Sequence, residues 1–272
     1  MKFNIKFFLI CVAMLLFISN KAAAYSFTDF KWNRPVAQTG GNYDISYVLD
    51  TSDYTSDSGL STAQITNALT NAFNTWSSIL TSSISFMQAA DNNGNYDYYD
   101  SGAASPGEDA GASLFYANII FGGWMPASYF ESLSPGGGTS ILGVNFSFGF
   151  VPGPDVSMGP NGLLDENEDG FDDFAMCEIY FNDGFNWGIG TGYDIESVFV
   201  HELGHAIGLG HTDISGAIMY PTYSGILRDL SADDIAGASQ LYPIPEPQVL
   251  IMLGSLATGL FGFIGLRRKF RE

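Results

Sequence analysis

Between Ser61 and Leu80 the apolar side chains Ile65, Leu69, Ala72, Phe73, Trp76 and Leu80 return every three or four residues. That spacing predicts a helix with one buried face. Ser61 stands just before it, where an N-cap hydroxyl can accept from the first free N–H groups. Short β-prone runs occupy Ile45–Leu49, Ile84–Met87, Tyr116–Phe121, Ile141–Phe150 and Cys177–Phe181, with Gly-, Asp-, Ser- and Pro-rich segments between them. A second helix is expected over roughly Asp194–Ile207. A third covers roughly Ala232–Leu241, with Ser231 as N-cap and Asp233 and Asp234 in a first turn where the helix dipole favours anions. No internal repeat or break in composition divides this stretch, so it reads as one α+β domain. Two loops are long, Asp91–Ser113 and Val151–Phe174, and long loops in compact domains tend to be functional.

The ends have another texture. Lys2 and Lys6 precede an uncharged run from Phe7 to Ile18, and Ala22-Ala23-Ala24 follows. This reads as a signal peptide over residues 1–24 with Tyr25 as the new N-terminus, the alternative being an uncleaved anchor. The folded domain is then 25–242. Residues 243–272 contain Pro245-Glu246-Pro247, an uncharged stretch 249–266 just long enough to cross a bilayer, and a tail with Arg267, Arg268, Lys269 and Arg271. The basic cluster favours a cytoplasmic C-terminus.

Composition matters once these ends are set aside. The whole chain has 272 residues and a formal charge of −19. Seven of its ten basic residues lie in the end segments, leaving Lys31, Arg34 and Arg228, while all but Glu246 and Glu272 of the acids lie between them. The folded region is therefore far more acidic than the total suggests. Nucleic acid is excluded as a partner, since that requires clustered cations. Cys177 has no intramolecular partner there, because Cys11 leaves with the leader; it reads as a buried inert thiol rather than a redox or metal-blocking group.

All three histidines of the chain lie in His201-Glu202-Leu203-Gly204-His205-Ala206-Ile207-Gly208-Leu209-Gly210-His211. On a helix His201 and His205 share a face one turn apart, and two imidazoles so placed can bind one Zn²⁺. Glu202 cannot share their direction but can reach a water at such a metal. Gly208 can take φ > 0 and end the helix, allowing His211 to return as a third nitrogen ligand. Three neutral ligands leave the metal its full charge and one open position, which makes Glu202 the candidate general base.

This extended motif resembles the metzincin metalloproteases. Ala217-Ile218-Met219-Tyr220-Pro221-Thr222-Tyr223 is similar to the Met-turn and following wall of the matrixin branch. The resemblance implies that Met219 packs beneath the ligands and that Pro221, Thr222 and Tyr223 line the pocket for the side chain after the scissile bond. It spans about Lys31 to Tyr242. It implies a metzincin/zincin-like α+β fold with a twisted five-stranded, mostly parallel sheet and three helices. The strand Ile141–Phe150 would be the edge that takes an extended peptide by strand addition. The implied activity is a zinc-dependent endopeptidase acting on protein or peptide substrates. The C-terminal segment resembles the PEP-CTERM sorting signal of Gram-negative bacteria, which implies an exosortase-type partner and membrane contact through 249–266 before processing. A simple C-terminal anchor is the alternative.

Departures from the family pattern are informative. No Pro-Arg-Cys-Gly latency segment occurs. Gly122–Ser140 has no His and no Asp, where many matrixins hold a second zinc, so one zinc per chain is expected. The run Asp165–Asp173 holds six acids in nine residues, which repel one another unless a cation is present. Asp165, Asn167, Asp169, the Phe171 carbonyl and Asp173 resemble the first half of an EF-hand-type loop, but Met176 stands where the closing Glu belongs. Calcium is expected there against a plain solvated acidic loop, with Asp183 a further candidate. Two other functions compete: a non-catalytic surface or matrix protein using this fold as a binding module, and a calcium-stabilised component of an exopolysaccharide matrix.

Overall fold

The computed structural model describes residues 24–32, 43–50, 59–80, 84–89, 117–150 and 156–243. Most of the leader, Arg34, the loop 91–113 and the sorting segment beyond Pro243 lie outside the described residues.

The apolar stripe after Ser61 folds as α1 (Thr62–Leu80), which buries Ile65, Ala68, Leu69, Ala72, Phe73, Trp76 and Leu80. Its start is a reciprocal cap. Gln64 N donates to Ser61 Oγ at 3.4 Å, and Ser61 N and Oγ donate to Gln64 Oε1 at 3.0 and 2.8 Å.

The sheet is built from β1 (Phe30–Lys31), β2 (Tyr43–Leu49), β3 (Ile84–Gln88), β4 (Ile119–Met125), β5 (Gly143–Gly149) and β6 (Asp172–Asn182). Its main path runs β1-β6-β4-β2-β3, all parallel, and β5 joins β6 antiparallel. All residues of β4 and β6 are buried, whereas β5 is half-buried throughout. Among the described strands β5 pairs with β6 alone.

The sheet has six strands rather than the expected five because the two-residue β1 adds to β6. A separate two-stranded pair, β7 (Trp187–Gly188) with β8 (Tyr193–Asp194), precedes the helix that carries His201 and His205. Two short helices, α2 (Ala127–Leu133) and α3 (Gly137–Ser140), join the expected three; seven and four residues are too few to leave a readable helical repeat. Of the run expected at Tyr116–Phe121, Tyr116 lies outside the described residues; the strand covers Ile119–Met125, continuing past Phe121 through a bulge before Trp124, with Gly123 at φ 85°. The strand expected at Cys177–Phe181 begins at Asp172. Asp172 is buried in it, accepting from Asn161 N and Nδ2 at 2.9 and 2.7 Å and from Leu163 N at 3.1 Å.

The last two helices are α4 (Ile195–Ala206) and α5 (Ala232–Leu241). An aromatic cluster fills the layer between α1, α4 and the sheet: Phe73 and Phe121 each meet Phe199 edge-on, with centroids at 5.5 and 5.3 Å, and Phe181 stacks on Trp187 at 4.6 Å. Two indoles fasten α4 into it. Trp76 Nε1 donates to Val200 O and Trp32 Nε1 to Ala206 O, both at 2.8 Å. Tyr242 Oη donates to Ile207 O at 2.9 Å, so carbonyls at the helix end find partners.

Candidate metal centre and active site

α4 begins at Asp194, whose carboxylate accepts from Ser197 N at 2.9 Å and so caps the helix. Six residues after its start, His201 and His205 project from one face, with ring centroids 4.8 Å apart. Each ring is held from behind by a main-chain carbonyl. His201 Nδ1–H donates to Ile218 O and His205 Nδ1–H to Leu209 O, both at 2.7 Å. A carbonyl can only accept, so the ring proton sits on Nδ1 and the Nε2 lone pairs are free. Gly208, at φ 99°, turns the chain after the helix. His211 then returns with its Nε2 3.3 Å from that of His201.

The donor set fits zinc. The three imidazoles bring ligand atoms within 4.8 Å of one another, and no other such group of three occurs among the described residues. Two nitrogens at 2.0–2.1 Å from a tetrahedral zinc stand about 3.3 Å apart. All three rings are neutral at pH 7. Burial pulls His201 down to about 4, aided by His211, and pulls His205 down to about 3, aided by His201. His211, the exposed member, is lowered by the same cause.

Glu202 is 5% exposed and lies against Gly143 of β5. Burial pushes its carboxyl up to about 8, partly offset by the Asn145 main-chain N–H. Behind the three imidazoles Met219 is buried, its sulfur against Gly204 and beside Trp76. The turn that carries it is held by Asp234, which accepts from Ile218 N at 2.9 Å and Met219 N at 3.1 Å. Asp234 also completes the Ser231 capping box of α5. One carboxylate thus ties α5 to the turn whose Ile218 carbonyl orients His201.

Pro221, Thr222 and Tyr223 line a cleft of about 940 Å³ together with His201, His205, His211, Glu202 and residues of β5. Tyr223 Oη accepts from Asp194 N at 3.0 Å and donates to Gly192 O at 2.9 Å. Arg228 grips Asp194 through Nε and Nη2 at 3.0 and 2.6 Å and reaches Glu196 at 3.1 Å. Motif reading passes over this Arg228–Asp194 pair; the signal available was that Arg228 is one of three cations in a strongly acidic region.

The acidic loop is closed by hydrogen bonds from its own main chain to its acidic and amide side chains. Asp165 is buried and accepts from Asp169 N and Gly170 N at 3.1 and 3.0 Å. Asn167 Oδ1 accepts from Asp169 N, and Asp173 Oδ2 accepts from Glu166 N. Asp169 pairs with Lys31 at 2.6 Å, and Phe171 N donates to Asp169 Oδ1. Asp183 follows the far end of β6 and caps α2 by accepting from Ala127 N at 2.9 Å. Cys177 is fully buried on β6 under Ser147 and Ala206, and burial pushes its thiol well up.

A mostly parallel sheet, a helix with two imidazoles one turn apart, a third after a glycine turn and a buried methionine turn beneath them define a metzincin-type α+β fold. Residues 158–243 match the profile of the family described as Matrixin. The chain is 30% identical over 193 residues to karilysin of Tannerella forsythia, covering 71% of this chain and 31% of that protein. It is 36% identical over 96 residues to matrilysin of Rattus norvegicus (34% of this chain, 30% of that protein). Over 54 residues it is 52% identical to metalloendoproteinase 5-MMP of Arabidopsis thaliana, covering 19% and 15% of the two chains. The chain spans about a third or less of the length of these relatives. Their likeness supports a matrixin-like metalloprotease.

Proposed function

We propose that this chain is an exported zinc endopeptidase. The observation that carries the proposal is the convergence of three neutral imidazoles beside a buried carboxyl group inside a cleft bordered by a half-buried strand edge. His201, His205 and His211 would hold the zinc. When bound it supplies Lewis acidity that polarises the substrate carbonyl and makes water acidic near neutral pH. Drawn back to its ionised form by the positive charge of the zinc, the buried Glu202 carboxyl accepts the proton of the attacking water on a carboxylate oxygen and hands it to the departing amine nitrogen. The open edge of β5 takes the peptide in extended form, and the wall Pro221–Tyr223 receives the side chain that follows the scissile bond.

The proposal includes the ends of the chain. Residues 1–24 direct export, and 243–272 anchor the protein to the membrane until an exosortase-type enzyme acts on it, which places the folded part in the envelope, matrix or medium of a Gram-negative bacterium. Calcium belongs to the proposal through the loop Asp165–Asp173, which holds six acids, of which Asp169 is paired with Lys31.

Casein or gelatin digestion tests the central claim. Cleavage is expected from the purified protein and lost with a zinc chelator. Glu202→Gln should retain zinc and lose activity by about 10²–10⁴-fold. A fully active Glu202→Gln protein overturns the role of Glu202, and a protein that binds no zinc overturns the whole reading.

A further inference from the structure

We propose that Ser26–Thr28, at the start of the folded chain, form a positioning strap for the metal-ligating turn Gly208–His211. The two segments run antiparallel, with Phe27 bridged to Leu209. Thr28 N donates to Gly208 O at 2.9 Å, and Gly210 N donates to Ser26 O at 2.8 Å. The Ser26 hydroxyl donates to the carbonyl of His211 itself at 2.7 Å. Every residue of the turn is therefore touched by the strap, and Ser26 meets His211 across 185 residues of sequence.

The turn needs this support more than the helix does. His201 and His205 stand on α4, where each backbone position is fixed by its neighbours. His211 lies beyond the helix end, on irregular backbone, and is the exposed member of the three. Leu209 has a second duty, since its carbonyl accepts from His205 Nδ1–H. The strap thus braces both the third ligand and the group that orients the second. Partners behind the ligands commonly control metal affinity to this degree.

The strap is itself anchored away from the turn. Phe27 meets Phe171 edge-on at 5.7 Å, and Tyr25 lies against Gly237 of α5 with its hydroxyl bonded to Gln240. It joins the acidic-loop side and the last helix to the metal turn.

This inference rests on the zinc reading, and the test separates the two. Zinc dissociation constants are measured on the full chain by competition with a chromophoric chelator, together with the visible absorption of the cobalt form. Ser26→Ala removes one hydrogen bond and is expected to weaken zinc binding about threefold to tenfold. Gly210→Ala places a Cβ 2.4 Å from Ser26 Oγ and 3.2 Å from Phe27 O, so the Ser26 hydroxyl must swing off the His211 carbonyl and the strap backbone must give slightly; a loss at least as large as that of Ser26→Ala and a shifted cobalt spectrum are expected. The double variant should be no weaker than Gly210→Ala within about twofold, because both changes act through one contact. Ser61→Ala, which uncaps the distant α1, should lower stability and leave affinity and spectrum unchanged. Unchanged affinity and spectrum in Ser26→Ala overturn the strap, as does full additivity in the double variant. Should Gly210→Ala fail to fold, Ser26→Ala decides, since its side chain is exposed. A parent chain that binds no zinc overturns the function instead.

Discussion

Replacing Asp194 by alanine tests how the helix that carries His201 and His205 is seated. The carboxylate is fully buried and receives bonds from Ser197 N at 2.9 Å, Ser197 Oγ at 2.6 Å, Gly190 N at 2.6 Å, and Arg228 Nε and Nη2 at 3.0 and 2.6 Å. Two losses combine. Removing an N-cap costs about 0.5–2 kcal/mol. Breaking a buried ion pair costs about 3–5 kcal/mol when the survivor is stranded. Here Arg228 keeps 30% of its side chain exposed and retains Glu196 at 3.1 Å, so solvent and the second acid absorb part of the second loss. The expected destabilisation is about 2–4 kcal/mol at pH 7.

The pH dependence gives this estimate a sign. Burial alone raises the Asp194 pKa, but the bonds from Arg228, Ser197 and Gly190 outweigh it and the net shift is downward. A carboxyl group with a lower pKa when folded stabilises the fold fully above its unfolded value, about 3.9. That contribution fades as pH falls through the folded value. The gap between parent and Asp194→Ala should therefore be constant near neutrality and close in acid. His201 and His205 also weaken the metal-free fold as pH drops below their unfolded value, about 6.5. They do so in both proteins and leave the difference unchanged. Urea unfolding of the metal-free forms, followed by tryptophan fluorescence across pH, measures this. A gap under about 0.5 kcal/mol at pH 7, or one that widens in acid, refutes the reasoning.

Asp234→Ala should cost about 3 kcal/mol or more, because it strips the acceptor from Ile218 N, Met219 N and Ser231 N at 2.9, 3.1 and 2.8 Å in a site 1% exposed. It should also weaken zinc binding through the Ile218 carbonyl behind His201; unfolding curves and chelator competition check the two effects, and a shift in neither contradicts the assignment. Calcium should raise the melting temperature and a calcium chelator should lower it, with Asp165→Asn blunting the response; a melt indifferent to both removes calcium from the proposed function.

The parts legible in the sequence share one property: their chemistry is local. His201, Glu202, His205 and His211 fall within eleven residues, so helical geometry and one glycine turn suffice to bring them together. The α1 stripe and the caps at Ser61 and Ser231 are local in the same sense. What the sequence concealed is what holds that motif in place. Arg228 meets Asp194 across 34 residues, Asp234 meets Ile218 across 16, and Ser26 meets His211 across 185. None leaves a period or a spacing. Charge misled in one place, since Asp172 and Asp173 read as loop yet begin β6 buried and hydrogen-bonded. Scarcity was the weaker signal. Lys31 and Arg228 are the lysine and arginine of the described region, and each is found on an acid, Asp169 or Asp194. Repulsion among so many carboxylates makes each of the two cations a point where distant segments can be joined. The count of cations points to Lys31 and Arg228 only in hindsight, because scarcity names neither a role nor a partner until the structure sets Asp169 and Asp194 beside them.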